Sequence, residues 1–126
     1  MKKVFITGVS KGIGRSIAEL LTSKGGYEVI GTCRDSQNVS NAIDGVKYVD
    51  LDLGNPQSIV ACAQYLSDID ILINNAGQSQ IGSIEDVSMD KIRDLFEINF
   101  FGSIEVCKLT IPGMRERGRG LIINIG

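Results

Sequence analysis

The chain has 126 residues, of which 43% are hydrophobic, and a formal net charge of −2. This content suffices for one hydrophobic core and gives no indication of a second domain. The acidic balance argues against a nucleic-acid partner. The absence of histidine excludes Ser-His-Asp hydrolysis and His-ligated metal sites within these residues, and we predict no metal site. We interpret the one basic cluster as a solvated helix end, favoured there by the helix dipole. It consists of Arg115, Arg117 and Arg119.

The three cysteines form no CxxC pair, and their odd number is a poor framework for disulfides, so we expect reduced thiols. They are Cys33, Cys62 and Cys107. The apolar run near the N-terminus is interrupted at Gly8, too early for a signal peptide or a membrane span. We therefore expect a cytoplasmic protein that does not associate with membranes.

The chain opens with an apolar run, Val4–Thr7, which predicts a strand and breaks into a glycine-rich turn. Gly8 permits a tight turn, while Gly12 and Gly14 lack the Cβ atoms that would hold a ligand away from the following helix. Exposed backbone N–H groups at such a helix start attract phosphate. The lysine of the turn, Lys11, precedes its second glycine, so the Gly-Lys-Ser/Thr sequence of a P-loop is missing.

Apolar runs recur along the chain, and several of the segments between them have helical spacing, which indicates a β-α-β rhythm. Strands that are apolar throughout and alternate with helices imply a parallel sheet covered on both faces. We predict the strand order 3-2-1-4-5, with a ligand site at the carboxyl ends of strands 1 and 4. The runs are Val4–Thr7, Glu28–Cys33, Val46–Val49, Ile69–Ile73 and Leu121–Ile125.

Three helices are predicted between these strands. The first ends at Gly25, and the second starts at Asn55-Pro56, because the first helical turn tolerates proline. Ser88 can cap a third, long helix that runs toward Arg117, with a disturbance expected at Pro112. The apolar stripe of the first helix consists of Ile13, Ile17, Leu20 and Leu21.

Asn99 falls on the apolar stripe of the long helix, four residues beyond Leu95 and three beyond Phe96. We therefore expect its side chain to be buried. An unpaired buried amide would cost about 1–3 kcal/mol, so it must find hydrogen-bond partners. The residues alone leave open whether Asn99 is a satisfied core residue or part of a site.

Polar residues follow the predicted strands. Arg34 lies twenty residues beyond Gly14, where a dinucleotide fold usually reads the ribose. An acid there accepts from a 2′-hydroxyl, whereas an arginine pairs with a 2′-phosphate. Lys11 and Arg34 favour the phosphate, although Asp35 is adjacent. The alternative is that both cations are ordinary surface charges.

The ends of strands 3 and 4 add two further candidates. Asp52 follows strand 3 and is either a ligand-binding acid or a solvent-facing one. Strand 4 runs into Asn74-Asn75-Ala76-Gly77, whose small residues let the chain pass close to a cofactor. A purely structural turn is the alternative for this segment.

Together these motifs resemble the short-chain dehydrogenase/reductase family of the classical type. Thr7 to Gly14 matches the family's TGxxxGxG loop, Asn74 to Gly77 its NNAG motif, and Asn99 to Gly102 the segment with its catalytic asparagine. The resemblance covers essentially all 126 residues. It implies a Rossmann-like, doubly wound α/β fold.

The resemblance also implies roles for single residues. Asn99 would order a water that feeds a proton relay, and Asp52 would contact the adenine edge, assisted by the backbone of Leu53. Cys33 holds the place of the acid found in NAD-dependent members, so NADP(H) is the preferred cofactor and NAD(H) the alternative. The predicted cofactor-binding residues are Gly8, Ser10, Lys11, Gly12, Ile13, Gly14, Arg34, Asp52, Leu53, Asn74, Ala76 and Gly77.

The activity implied by the resemblance is hydride transfer between nicotinamide and a small carbonyl or alcohol substrate. The family's catalytic serine, tyrosine and lysine come after its fifth strand. We therefore interpret residues 1–126 as the dinucleotide-binding portion of a single-domain oxidoreductase, truncated after the fifth strand, with the C-terminal half absent and no activity of its own. The apolar last strand and the family's dimer-forming long helix lead us to expect a homo-oligomer. The competing hypothesis is a non-catalytic nucleotide-binding or interaction module that ends naturally at Gly126.

Overall fold

Five parallel strands form one sheet in the computed structural model, which describes residues 1–126. Their order is β3-β2-β1-β4-β5, which confirms the predicted order. In the central strand, Val4 is paired with Val29 on one side and with Ile71 on the other. The chain therefore reverses its winding direction beside β1, at the position where such sheets bind ligands. The strands are β1 (Lys2–Ile6), β2 (Tyr27–Cys33), β3 (Val46–Asp50), β4 (Ile71–Asn74) and β5 (Leu121–Asn124).

Helices connect most of the strands, and two of the predicted helix starts are confirmed. The side chain of Asn55 accepts a hydrogen bond from the Gln57 backbone, with Pro56 at the first helical position, and Ser88 accepts one from Lys91. Residues 34–45 contain only turns and bends. No helix is both long enough and apolar enough to cross a membrane. The helices are α1 (Gly12–Lys24), α2 (Pro56–Ala61), α3 (Ala63–Leu66), α4 (Met89–Phe96), a π-helix (Glu97–Gly102) and α5 (Ser103–Arg117).

The sheet buries apolar side chains on both faces, as its continuous apolar strands predict. Successive side chains of β1 alternate between the faces, so Phe5 joins one core while Val4 and Ile6 join the other. The Phe5 face is covered by α2, α3 and α5, and the opposite face by α1. The residues after the strands are consequently presented at one edge of a rigid sheet.

The predicted apolar stripe of α1 is partly wrong. Ile13 and Leu20 are 60% and 55% exposed, whereas Gly14 and Ala18 are buried. Small residues on the inner face let this helix approach the sheet closely. The larger side chains therefore lie at its flanks or in solvent.

The long helix is interrupted by the π-helix and not, as predicted, at Pro112, which lies inside α5. Gly102 packs the π-helix directly against the loop after β3, because a Cβ atom there would lie 2.7 Å from the Leu53 carbonyl oxygen. A π turn contains one more residue than an α turn in each hydrogen-bonded ring, so it changes the phase of the helix. The prediction that Asn99 is buried is wrong: its side chain is exposed, as is that of Phe96 on the same predicted stripe.

The end of α5 is fastened to the loop before β4. The Arg117 guanidinium donates to the carbonyl oxygens of Ser67 (2.8 Å) and Ile69 (2.6 Å). A Cβ atom at Gly113 would overlap the Ser67 carbonyl oxygen, so the helix lies directly against this loop. The three arginines of the basic cluster are exposed at the end of α5, as predicted, and Arg117 in addition holds this loop.

Replacing Arg117 with alanine should lower the free energy of unfolding by about 1–3 kcal/mol, because two carbonyl groups lose a charged donor. Urea denaturation measures this loss. Arg115→Ala is the matched control, since that exposed arginine makes no side-chain hydrogen bond or ion pair and should cost less than about 0.5 kcal/mol. Equal losses in the two variants would contradict a structural role for Arg117.

Candidate functional site

Thr7 joins the carboxyl ends of β1 and β4 at the point where the winding reverses. Its buried hydroxyl oxygen accepts hydrogen bonds from the backbone N–H groups of Asn75 (3.0 Å) and Ala76 (2.9 Å). The Thr7 N–H in turn donates to the Ile73 carbonyl oxygen (3.0 Å). This role of Thr7 was not predicted from the sequence, although a hydroxyl at the end of an apolar strand must find a partner when it is buried.

The glycine turn packs tightly against the loop after β4. A Cβ atom at Gly8 would lie 3.0 Å from the Ala76 Cα atom, and one at Gly14 would overlap the Gly8 carbonyl oxygen. The Asn75 side chain donates to the same Gly8 oxygen (2.9 Å). Gly12 differs, because a Cβ there would meet nothing and its φ of +64° is what favours glycine. These contacts hold the N-terminus of α1 close to the glycine turn and to the loop after β4.

A cleft of about 540 Å³ lies at this edge of the sheet and brings together most of the predicted cofactor-binding residues. Leu53 contributes from the core, where it is buried, and Asp52 contributes an exposed carboxylate. One Asp52 oxygen accepts the Gly54 N–H (2.9 Å). Thr32, which the sequence analysis did not assign, holds the turn by accepting the Gly8 N–H (3.1 Å). We call this cleft the first lobe of the site. The predicted residues that line it are Gly8, Ser10, Lys11, Arg34, Asp52, Leu53, Ala76 and Gly77.

The residues after β2 present unequal charges to the first lobe. Arg34 and Cys33 line it, whereas Asp35 does not. The Asp35 carboxylate accepts from the Gln37 backbone (3.3 Å) and from the Asn38 side chain (2.9 Å), so it serves its own turn. Burial raises the pKa of the Cys33 thiol, which keeps that side chain neutral. This segment therefore offers the lobe a positive charge without an opposing carboxylate.

A second lobe of about 760 Å³ lies on the other side of the loop after β4 and contains Ile13, Asn74 and Asn99. The Asn74 amide nitrogen donates to Asn124 Oδ1 (2.9 Å) and Cys107 Sγ (3.2 Å), which ties β4 to β5 and α5. Its side-chain oxygen is buried without a protein partner. The cofactor-binding role of Asn74 stays a prediction.

Asn99 forms a closed pair of hydrogen bonds with the backbone of Gln78. Its amide nitrogen donates to the Gln78 carbonyl oxygen, and its oxygen accepts the Gln78 N–H, both at 2.7 Å. The π-helix presents Asn99 toward this loop, and Gly77 leaves room for it, since a Cβ there would lie 3.0 Å from Asn99 Oδ1. The water-ordering role of Asn99 stays a prediction. Gln78 could not have been found from sequence, because it contributes only backbone atoms.

The two lobes share the loop 75–79 and so form one elongated cleft across the sheet edge. A helix N-terminus and backbone without Cβ atoms suit a diphosphate, and Lys11 and Arg34 suit a further anionic group. Two lobes joined by such a centre fit the two halves of a dinucleotide. The fold is therefore a Rossmann-like α/β fold, and its cleft lies at the sheet edge where such folds bind dinucleotides.

The chain belongs to the short chain dehydrogenase family, whose model matches residues 2–126. It is 40% identical to oxidoreductase calM of Penicillium decumbens, over 96% of this chain and 44% of that protein. A solved short-chain dehydrogenase from Streptomyces avermitilis matches with a TM-score of 0.91 and 34% identity, over 100% of this chain and 50% of that one. The family membership favours an oxidoreductase over a non-catalytic module. The chain spans about half the length of the curated relatives it matches.

Solved family members with either dinucleotide resemble the chain. One from Burkholderia cenocepacia, in complex with NADP, is 27% identical with a TM-score of 0.86, over 98% of this chain and 54% of that one. One from Leptospira borgpetersenii, with bound NAD⁺, is 28% identical with a TM-score of 0.85, over 99% of this chain and 51% of that one. The choice between the two cofactors therefore has to be argued from this chain's own residues.

Proposed function

We propose that the full-length protein is an NADP(H)-dependent oxidoreductase that acts on a carbonyl or alcohol group of a small-molecule substrate. The observation that carries this proposal is the charge at the first lobe. Lys11 and Arg34 line it, while both oxygens of Asp35 are engaged within their own turn. A 2′-phosphate would find cationic donors there without a facing carboxylate from this segment.

The remaining cofactor contacts follow from the same geometry. In the proposal, the backbone at the start of α1 binds the diphosphate, and Asp52 with the Leu53 backbone holds the adenine edge. Ala76 and Gly77 offer small surfaces on which a ribose can lie. When it is bound, the nicotinamide supplies the hydride chemistry. The other predicted contacts are Gly8, Ser10, Gly12, Ile13, Gly14 and Asn74.

The second lobe would receive the nicotinamide and the substrate, beside the proposed catalytic residue Asn99. The family's catalytic tyrosine is followed four residues later by its catalytic lysine, and residues 1–126 contain no tyrosine and lysine at that spacing. We therefore place proton transfer to the substrate oxygen in the remainder of the full-length protein and expect the 126-residue chain to bind cofactor without turnover.

We also propose a homo-oligomer, which is supported by the exposed side chains of Phe96 and Phe101 on the long helix. The cytoplasmic location stays a prediction.

Titration of the protein with NADPH and NADH tests the cofactor assignment. Two cations on one phosphate supply about 2–3 kcal/mol, so NADPH should bind tens of times more tightly. Arg34→Ala should weaken NADPH binding about tenfold and change NADH binding less than about twofold. Lys24→Ala is the matched control, because it removes an exposed cation at the far end of α1. Equal affinities in the wild type, or an unchanged ratio in Arg34→Ala, would refute the assignment.

A further inference from the structure

Asp50, the last residue of β3, contacts the segment that carries Arg34. Its Oδ1 atom accepts the backbone N–H of Ser36 at 2.7 Å. The two strands meet at the same level, because Asp50 is paired with Cys33, and the Leu51 N–H donates to the Cys33 carbonyl oxygen (2.9 Å). The carboxylate therefore reaches across from β3 to the chain just after β2 ends.

This contact is the one hydrogen bond that residues 34–42 make to a group outside their own segment. The other bonds are internal: the Asp35 carboxylate accepts from the Gln37 N–H and the Asn38 side chain, and the Asn38 N–H donates to the Asp35 carbonyl oxygen. The hydrogen bond from the Ser36 N–H also lowers the pKa of Asp50, because the bond stabilises the ionised carboxylate and is charge-assisted. Without this bond, the next hydrogen bond that ties the connection to β3 is the one from the Ile43 N–H to the Tyr48 hydroxyl oxygen (2.9 Å), nine residues beyond Arg34.

We propose that Asp50 is a positioning residue for cofactor selectivity, which holds the segment 34–38 so that Arg34 meets the phosphate that distinguishes NADP(H) from NAD(H). The inference rests on the proposed function. Asp50 does not line the cleft, so it acts through Ser36 and makes no contact with the cofactor. Only one residue, Asp35, separates Ser36 from Arg34, so a shift of one moves the other.

The sign of the expected effect separates positioning from simple electrostatics. Asp50→Ala removes a negative charge near the proposed phosphate, which by Coulomb attraction alone would strengthen NADPH binding. Positioning requires the opposite, and we expect NADPH binding to weaken about three- to tenfold, with NADH binding changed less than about twofold. Asp50→Asn keeps an oxygen acceptor for Ser36 and should bind NADPH within about twofold of wild type.

Asp44→Ala is the matched control, since this exposed acid lies between the same two strands, makes no side-chain hydrogen bond and carries the same charge. It should not weaken NADPH binding. In parallel, the amide proton resonance of Ser36 reports the hydrogen bond directly. It should shift in Asp50→Ala and stay near its wild-type position in Asp50→Asn.

The outcomes distinguish this inference from the proposed function. If the wild type shows no preference for NADPH, or Arg34→Ala leaves the preference intact, the proposed function fails and the inference falls with it. If Arg34→Ala removes the preference while Asp50→Ala retains it, despite a shifted Ser36 resonance, the inference alone is overturned. An equal loss of both cofactors in Asp50→Ala would also overturn it, because the effect would then be general destabilisation.

Discussion

Replacing Gly14 with alanine should lower the free energy of unfolding by about 2–4 kcal/mol and abolish dinucleotide binding. The new Cβ atom would overlap the carbonyl oxygen of Gly8 and lie 2.5 Å from Asn75 Nδ2. These two groups are hydrogen-bonded to each other at 2.9 Å, so the methyl group has to break that bond or push α1 away from the turn. Urea denaturation and cofactor titration measure the two losses.

Gly12→Ala provides the comparison for this experiment. Its backbone has a φ of +64°, but a Cβ atom there would meet no other atom. The substitution should therefore cost only the backbone strain of about 1–2 kcal/mol. If Gly14→Ala loses no more stability than Gly12→Ala, residue 14 is not packed as closely against Gly8 and Asn75 as described.

Thr7→Val should destabilise the protein by about 2–4 kcal/mol, although it keeps the shape of the side chain. The Thr7 hydroxyl oxygen accepts the N–H groups of both Asn75 and Ala76, and valine leaves these two donors without that acceptor beneath the sheet edge. Chemical denaturation gives the loss of stability. The amide resonances of residues 75 and 76 should move with it.

Thr7→Ser retains the hydroxyl and removes one methyl group, so it should cost about 1 kcal/mol. At this position, which is 1% exposed, we thus expect the loss of the hydroxyl group to destabilise the protein more than the loss of the methyl group. If the valine variant proves as stable as the serine variant, the junction between β1 and β4 does not depend on these hydrogen bonds.

The helix starts at Asn55 and Ser88 could be predicted because their causes are local, and the strand order because alternating strands and helices permit few sheet topologies. Apolar runs without alternation require a sheet covered on both faces, and side chains that cap a helix act within three residues of it. The cleft followed from the same information, since parallel strands bring the residues after their carboxyl ends to one edge. This is why residues as distant in sequence as Lys11 and Arg34 were expected in one site.

The errors arose where long-range contacts decide the local geometry. Asn99 was expected to be buried because it follows Leu95 and Phe96 on one predicted stripe, but Phe96 is itself 58% exposed, and the Asn99 side chain binds the backbone of Gln78. The hydrogen bonds of Arg117 were not predicted either. Its partners are carbonyl groups about fifty residues earlier in the chain, and no sequence pattern indicates them. Almost every residue has the same backbone N–H and carbonyl groups. The residue type of the partner therefore does not indicate that a side chain binds its backbone.

The hydrogen bonds around the cleft also determine what a ligand has to do when it binds. Thr32 holds the glycine turn, Thr7 and Asn75 hold the loop after β4, and Asn99 holds the far end of that loop. The rim is thus ordered before any ligand arrives, and little conformational entropy is left to lose there on association. A dinucleotide would meet a preorganised backbone, so that less of the attraction of its phosphates would be offset by the ordering of the protein.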